Sequence, residues 1–145
     1  MRDETRNELL ERMSQARAET DRIFALVHPD SFYERPIPER HRIIFYLGHL
    51  EAFDWNLLRP RLFGAKSFDP SLDRLFAFGI DPVGGGLPSD RPGDWPRESQ
   101  VRLYQSDVRS ALDGALAGPW DWDGEERPET LLNVAIEHRL MHAET

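Results

Sequence analysis

Two of the five histidines in this sequence, His138 and His142, stand four apart in the run Glu137-His138-Arg139-Leu140-Met141-His142. On a helix, side chains four apart stack on one face, so both imidazoles can meet the same ion. Leu131 and Ala135 extend that face and mark it as inward-facing. The pair fits either a shared metal or two core imidazoles satisfied locally. His49 lies in Phe45-Tyr46-Leu47-Gly48-His49-Leu50, with Ala52 and Phe53 one turn further on. A third imidazole from a second helix would complete a face of three nitrogens and leave coordination positions open, as catalytic metal sites require. Taken alone, His49 reads as a core histidine bonded to its neighbours. Gly48 costs about 1 kcal/mol inside a helix, a cost easier to tolerate where the backbone must approach a neighbour closely. His28, before Pro29, reads as a solvated cap, and His41, in a charged helix start, as exposed.

The remaining composition narrows the chemistry. The chain of 145 residues has no cysteine, which excludes disulfides, thiolate ligands, iron–sulfur clusters and a cysteine nucleophile. A metal must therefore be held by imidazole or carboxylate. Net charge is −8 with a single lysine, Lys66, a surface that repels phosphate backbones and argues against a nucleic-acid partner. No apolar run approaches the about 18 residues needed to cross a bilayer. The charged, helix-like start does not resemble a secretory signal, so a cytoplasmic location is expected.

Four helices must position these groups. The first is expected from Glu4 to Val27, with Leu9, Met13, Ala16, Thr20, Ile23 and Val27 as its apolar stripe, ended by His28-Pro29. The second is expected from Pro38 to Leu58, carrying Ile43, Leu47, Leu50 and Leu57, and closed by Arg59-Pro60. The third, from Arg97 to Ala117, carries Val101, Tyr104, Val108, Leu112 and Ala115 and stops at Gly118-Pro119. The fourth starts near Pro128 after the acidic stretch Asp121 to Glu126 and runs to the last residue.

Between helices two and three, one helical turn is expected at Ser71 to Phe78. Half of the residues from Gly79 to Pro96 are Gly or Pro, which leaves no room for a regular element. The fold class that follows is all-α, a four-helix bundle of one domain over residues 1–145, with a long Gly/Pro-rich crossover between helices 2 and 3. Helical periodicity from Met141 to Thr145 carries no stop signal, so a longer natural polypeptide is expected.

Other candidate sites are weaker. Gly84-Gly85-Gly86 lacks the lysine and hydroxyl residue of a phosphate loop and follows no strand, so it reads as a flexible loop. Trp120-Asp121-Trp122-Asp123 fits either a pocket for a cationic ligand or tryptophans covering the bundle end. Glu144 points away from the His142 face and reads as a supporting or interface residue, or as a solvated charge. No serine sits in a nucleophile setting.

Set together, these segments resemble a known family. YLGHLEAFDWNLL (Tyr46 to Leu58) is similar to the "HLGHxxWFxxxxL" helix of the DinB-like N-terminal domain of ergothioneine-type sulfoxide synthases, and IEHRLMHAET (Ile136 to Thr145) to their "HExxHQE" helix. GLPSDRP followed by VRLYQSDV, within Gly86 to Val108, looks like their "RGLLSRP…V..YR..V" segment.

The resemblance implies a DinB-like bundle in which His49, His138 and His142 are ligands to Fe(II), in an oxidoreductase that uses dioxygen to join a thiol sulfur to the imidazole of a trimethylated histidine. It implies a small-molecule substrate, thiol or betaine-like, with Tyr46, Phe53 and Arg91 as candidate contacts. It also implies a C-terminal, formylglycine-generating-enzyme-like catalytic domain beyond these residues, without which the chain would be catalytically incomplete. The family's basic pair that holds the thiol substrate's carboxylates is absent, because Pro82 to Gly86 stand in its place, and Arg91 is the candidate substitute. The alternatives are a stand-alone, DinB-like transferase in which Zn(II) or another divalent ion activates a thiol, and a non-catalytic helical module.

Overall fold

A computed structural model describes residues 3–120 and 126–145. Among the described residues the chain is all-helical, with five α-helices: α1 (Asp3–Ala25), α2 (Ile43–Leu58), α3 (Pro70–Phe78), α4 (Glu98–Ala117) and α5 (Pro128–Ala143). Among the described residues no helix is long and apolar enough to cross a membrane. Most of the Asp121 to Glu126 stretch and of the Trp120 to Asp123 motif lies outside the described residues. Trp120 itself is half-buried, with its indole N–H on the Leu116 carbonyl at 3.0 Å and the Arg6 guanidinium over its ring.

The helix α2 is the hub, packing against α3, α4 and α5, while α1 packs on α5. Its sequence explains the position. Ile44, Phe45, Leu47, Leu50, Ala52, Trp55 and Leu58 are buried over a broad arc of it, and a helix with so wide an apolar face must pack against several neighbours. The single stripe expected from Ile43, Leu47, Leu50 and Leu57 is thus too narrow, and Ile43 and Leu57 are only half-buried. The other stripes lie close to expectation. Leu9, Met13, Ala16 and Thr20 face the core from α1, and Val101, Tyr104, Val108, Leu112 and Leu116 from α4.

Four boundaries differ from the sequence expectation, the first being the end of α1 at Ala25 rather than Val27. The helix α2 begins at Ile43 rather than Pro38, because Arg42 is extended and its guanidinium is drawn to the Tyr33 and Asp90 carbonyls. Two backbone bonds, Ile43 N–H to Glu34 O and Ile44 N–H to Phe32 O, tie that entry to the preceding loop. The single turn expected at Ser71 to Phe78 is a nine-residue helix, α3. Asp69 caps it, accepting the Leu72 N–H at 3.1 Å, and Pro70 occupies a favoured first-turn position.

The last helix stops at Ala143 instead of reaching Thr145. Between Gly79 and Pro96 a short 3-10 turn, Pro92–Asp94, forms after all. It follows Asp90, whose buried carboxylate gathers Arg35, Arg42 and the Trp95 indole N–H. Gly84, Gly85 and Gly86 all have positive φ, so their glycines answer a backbone requirement as well as giving flexibility.

Candidate metal centre

Gly48 brings α3 onto α2. A Cβ at position 48 would lie 2.5 and 2.6 Å from ring carbons of Phe76, and nearer still to a third. The absence of a side chain therefore seats the Phe76 ring on the α2 backbone, as the helix-interior glycine suggested. The same contact brings the Phe76 carbonyl to His49, whose Nδ1–H donates to it at 2.6 Å. That bond fixes the tautomer and leaves the Nε2 lone pair free to act as an acceptor or ligand.

The three histidines named from the sequence come together. One ring nitrogen from each of His49, His138 and His142 lies within 4.8 Å of the other two. Nε2 of His49 is 3.2 Å from Nε2 of His138, across 89 positions of sequence. Two nitrogens bound to one ion at about 2.0–2.1 Å, at angles between about 90 and 109°, would sit about 2.8–3.4 Å apart. The His49–His138 pair falls in that interval, and with the His142 nitrogen within 4.8 Å of both the three donors are close enough to be drawn onto one divalent ion. Nδ1 of His138 and of His142 is buried with no hydrogen-bond partner, so each ring keeps a polar atom that local bonding does not satisfy.

Aromatic rings brace the imidazoles. Phe53 stacks on His138 with centroids 3.5 Å apart and planes 8° apart. Phe45 stacks on His49 at 4.7 Å. Tyr46 stands 5.5 Å from His142. These walls keep water off the rings and disfavour the imidazolium form. Burial, with the repulsion that a second protonated imidazole beside the first would meet, pushes His138 down to about 3 and His142 down to about 4, and burial lowers His49 as well. All three are neutral at physiological pH, the state a metal ligand must have.

Beside His142 and Tyr46 opens a cavity of about 270 Å³ walled by Phe24, Val27, Ile37 and Ile43, with His41 at its edge. His41 is not exposed as expected. It is half-buried, its ring 3.8 Å from that of Phe45 and pressed on Gly79. His28 is a solvated cap, its Nδ1 accepting the Asp30 N–H at 3.2 Å. Glu144 is exposed. Arg91 is also exposed at the head of the 3-10 turn, where its backbone N–H binds Asp94. The guanidiniums gathered in that region belong to Arg35 and Arg42, both on Asp90.

Sequence reasoning missed a buried charge cluster next to the histidines. Arg139 is 1% exposed and binds Glu51 at 3.0 Å and Asp54 at 2.7 Å, both equally buried. A signal was present: two acids three apart, Glu51 and Asp54, interrupt the most apolar helix of the chain.

A three-imidazole centre between two helices of an all-helical domain is thus the class of site the geometry defines. No protein-family model matches the chain. Ergothioneine biosynthesis protein 1 of Neurospora crassa is 32% identical to it over 121 residues, which cover 80% of this chain and 14% of the relative. Over most of its own length the chain is related to that protein, and it spans about one-seventh of the relative's length.

Proposed function

We propose that the chain is a DinB-like, four-helix-bundle metal domain, with α3 as an added brace, of a non-haem Fe(II), dioxygen-dependent enzyme related to sulfoxide synthases. The observation that carries this is the meeting of His49 with His138 and His142 at one point, in a chain similar to a protein of ergothioneine biosynthesis. Bound there, the ion would supply a centre at which a thiol sulfur and dioxygen could be brought together, since three protein nitrogens leave coordination positions open.

The chain's own residues do the rest. The Phe76 carbonyl orients His49, and Phe45 and Phe53 hold the rings and keep water from them. Tyr46 and the cavity at His142 offer a substrate a largely apolar wall that includes a phenol. Arg91, exposed at the head of the 3-10 turn, is the candidate partner for a substrate carboxylate. Further segments of a longer polypeptide would complete the pocket. The same three nitrogens suit Zn(II), so a zinc-dependent thiol transferase is the second reading.

The test is elemental analysis of protein purified without oxygen, alongside His49→Ala, His138→Ala and His142→Ala. About one iron per chain, lost in each variant, is expected. Zinc in its place favours the transferase, and unchanged metal content in the alanine variants would overturn the site.

A further inference from the structure

The segment of α5 that carries His138 and His142 has almost no apolar anchor. Its buried apolar residues, Leu131, Leu132, Ala135 and Ile136, all precede the histidines, and Leu140 and Met141 are exposed. From His138 onward the one buried side chain is Arg139. Its guanidinium reaches Thr20 on α1 and the Leu50 carbonyl, Glu51 and Asp54 on α2. Arg109 of α4 extends the cluster, holding Glu51 at 2.6 Å and Asp21 of α1 through two parallel bonds. One cluster of charges therefore joins α1, α2, α4 and α5 beside the imidazoles.

We infer that Arg139, with Glu51 and Asp54, is a positioning device that sets the rotation of α5 against α2 and so makes the three imidazoles converge. This rests on the metal-site reading above. Side-chain atoms stand about 5–6 Å from a helix axis, so a rotation of 10° moves a ring nitrogen by about 1 Å. Metal–ligand distances tolerate about 0.2 Å. Apolar contacts slide, whereas a guanidinium forked between two carboxylates and a carbonyl fixes both angle and height. A buried ion cluster adds little net stability compared with apolar packing. Its place beside the ligands is accounted for by the geometry it imposes.

The test replaces the cluster by apolar groups of similar bulk, Arg139→Leu with Glu51→Leu and Asp54→Leu, leaving Arg109 on Asp21. Two measurements are made on the full 145-residue chain. The first is the nuclear Overhauser contact between the Phe53 and His138 rings in metal-free protein. The second is affinity for Zn(II) alone. The triple variant is expected to keep its helix content and denaturation midpoint, to lose the ring contact, and to bind Zn(II) about tenfold or more weakly, the scale of supporting-residue effects on metal sites.

Retention of the contact with affinity within about twofold of the parent overturns the inference. If the triple variant does not fold, Arg139→Lys, which keeps the charge and loses the fork, is held to the same two criteria. If the parent chain binds no Zn(II) and no iron, the metal-site reading falls, and the ring contact alone decides whether the cluster positions the imidazoles.

Discussion

An alanine at position 48 would drive its Cβ into the Phe76 ring, 2.5–2.6 Å from two of its carbons, where unstrained carbon contacts lie at about 3.5–4.0 Å. Phe76 is wholly buried, so the ring, and with it α3, must retreat by about 1 Å. Overpacking of this kind costs about 1–3 kcal/mol. Against it stands the gain of about 1 kcal/mol from removing a glycine from a helix interior. The contact is close enough to place the cost near the top of its range, so Gly48→Ala should destabilise by about 1–2 kcal/mol. For a domain of this size that is a fall in Tm of about 3–8 °C.

Urea denaturation followed by circular dichroism measures the change. The same substitution should weaken metal binding, because the retreating segment carries the carbonyl that holds His49. Phe76→Leu added to Gly48→Ala should recover part of both losses, a coupling that a double-mutant cycle isolates. An alanine variant about 1 kcal/mol more stable than the parent, as helix propensity alone demands, would refute the reasoning.

Metal-free chain should lose stability as pH falls from about 6.5 toward 3–4. His138 and His142 are held down to about 3 and 4 in the fold, so the unfolded chain binds more protons across that window. Asp54, pushed up to about 6 by burial, opposes this between about 4 and 6 without reversing it. Denaturation midpoints that rise on acidification would count against the buried, neutral imidazoles. Asp90→Ala should cost about 3–5 kcal/mol, because Arg35 and Arg42 are then left short of their shared carboxylate; an unchanged urea midpoint would contradict the cluster. Phe53→Ala removes the ring stacked on His138 and should weaken Zn(II) binding by about tenfold, whereas Tyr46→Phe should leave it unchanged, both read by competition with a chelating dye.

The sequence exposed most of the helical frame and the three histidines, because periodicity and spacing are local properties. The stripes of α1 and α4 and the His138–His142 pair need only a helix to be seen. What it concealed depends on partners distant along the chain. Pro38 was a reasonable first helical residue until Arg42 was drawn to Asp90, 48 positions away. The helix α3 spans only nine residues and stops where the Gly- and Pro-rich stretch begins at Gly79, so it reads as a single turn, yet it holds the His49 partner. Arg139 reads as an ordinary surface charge until Glu51 and Asp54, on another helix, are known to face it.

The imidazoles are contributed by α2 and α5, so the constellation cannot exist until those two helices, with 69 residues between them along the chain, have packed. An ion gripped by all three acts as a latch set only after assembly is finished. By mass action, free ion at a hundredfold over its dissociation constant adds about 2.7 kcal/mol in favour of the assembled state. Cellular supply of the ion would then govern how long each copy survives proteolysis, apart from any turnover it supports.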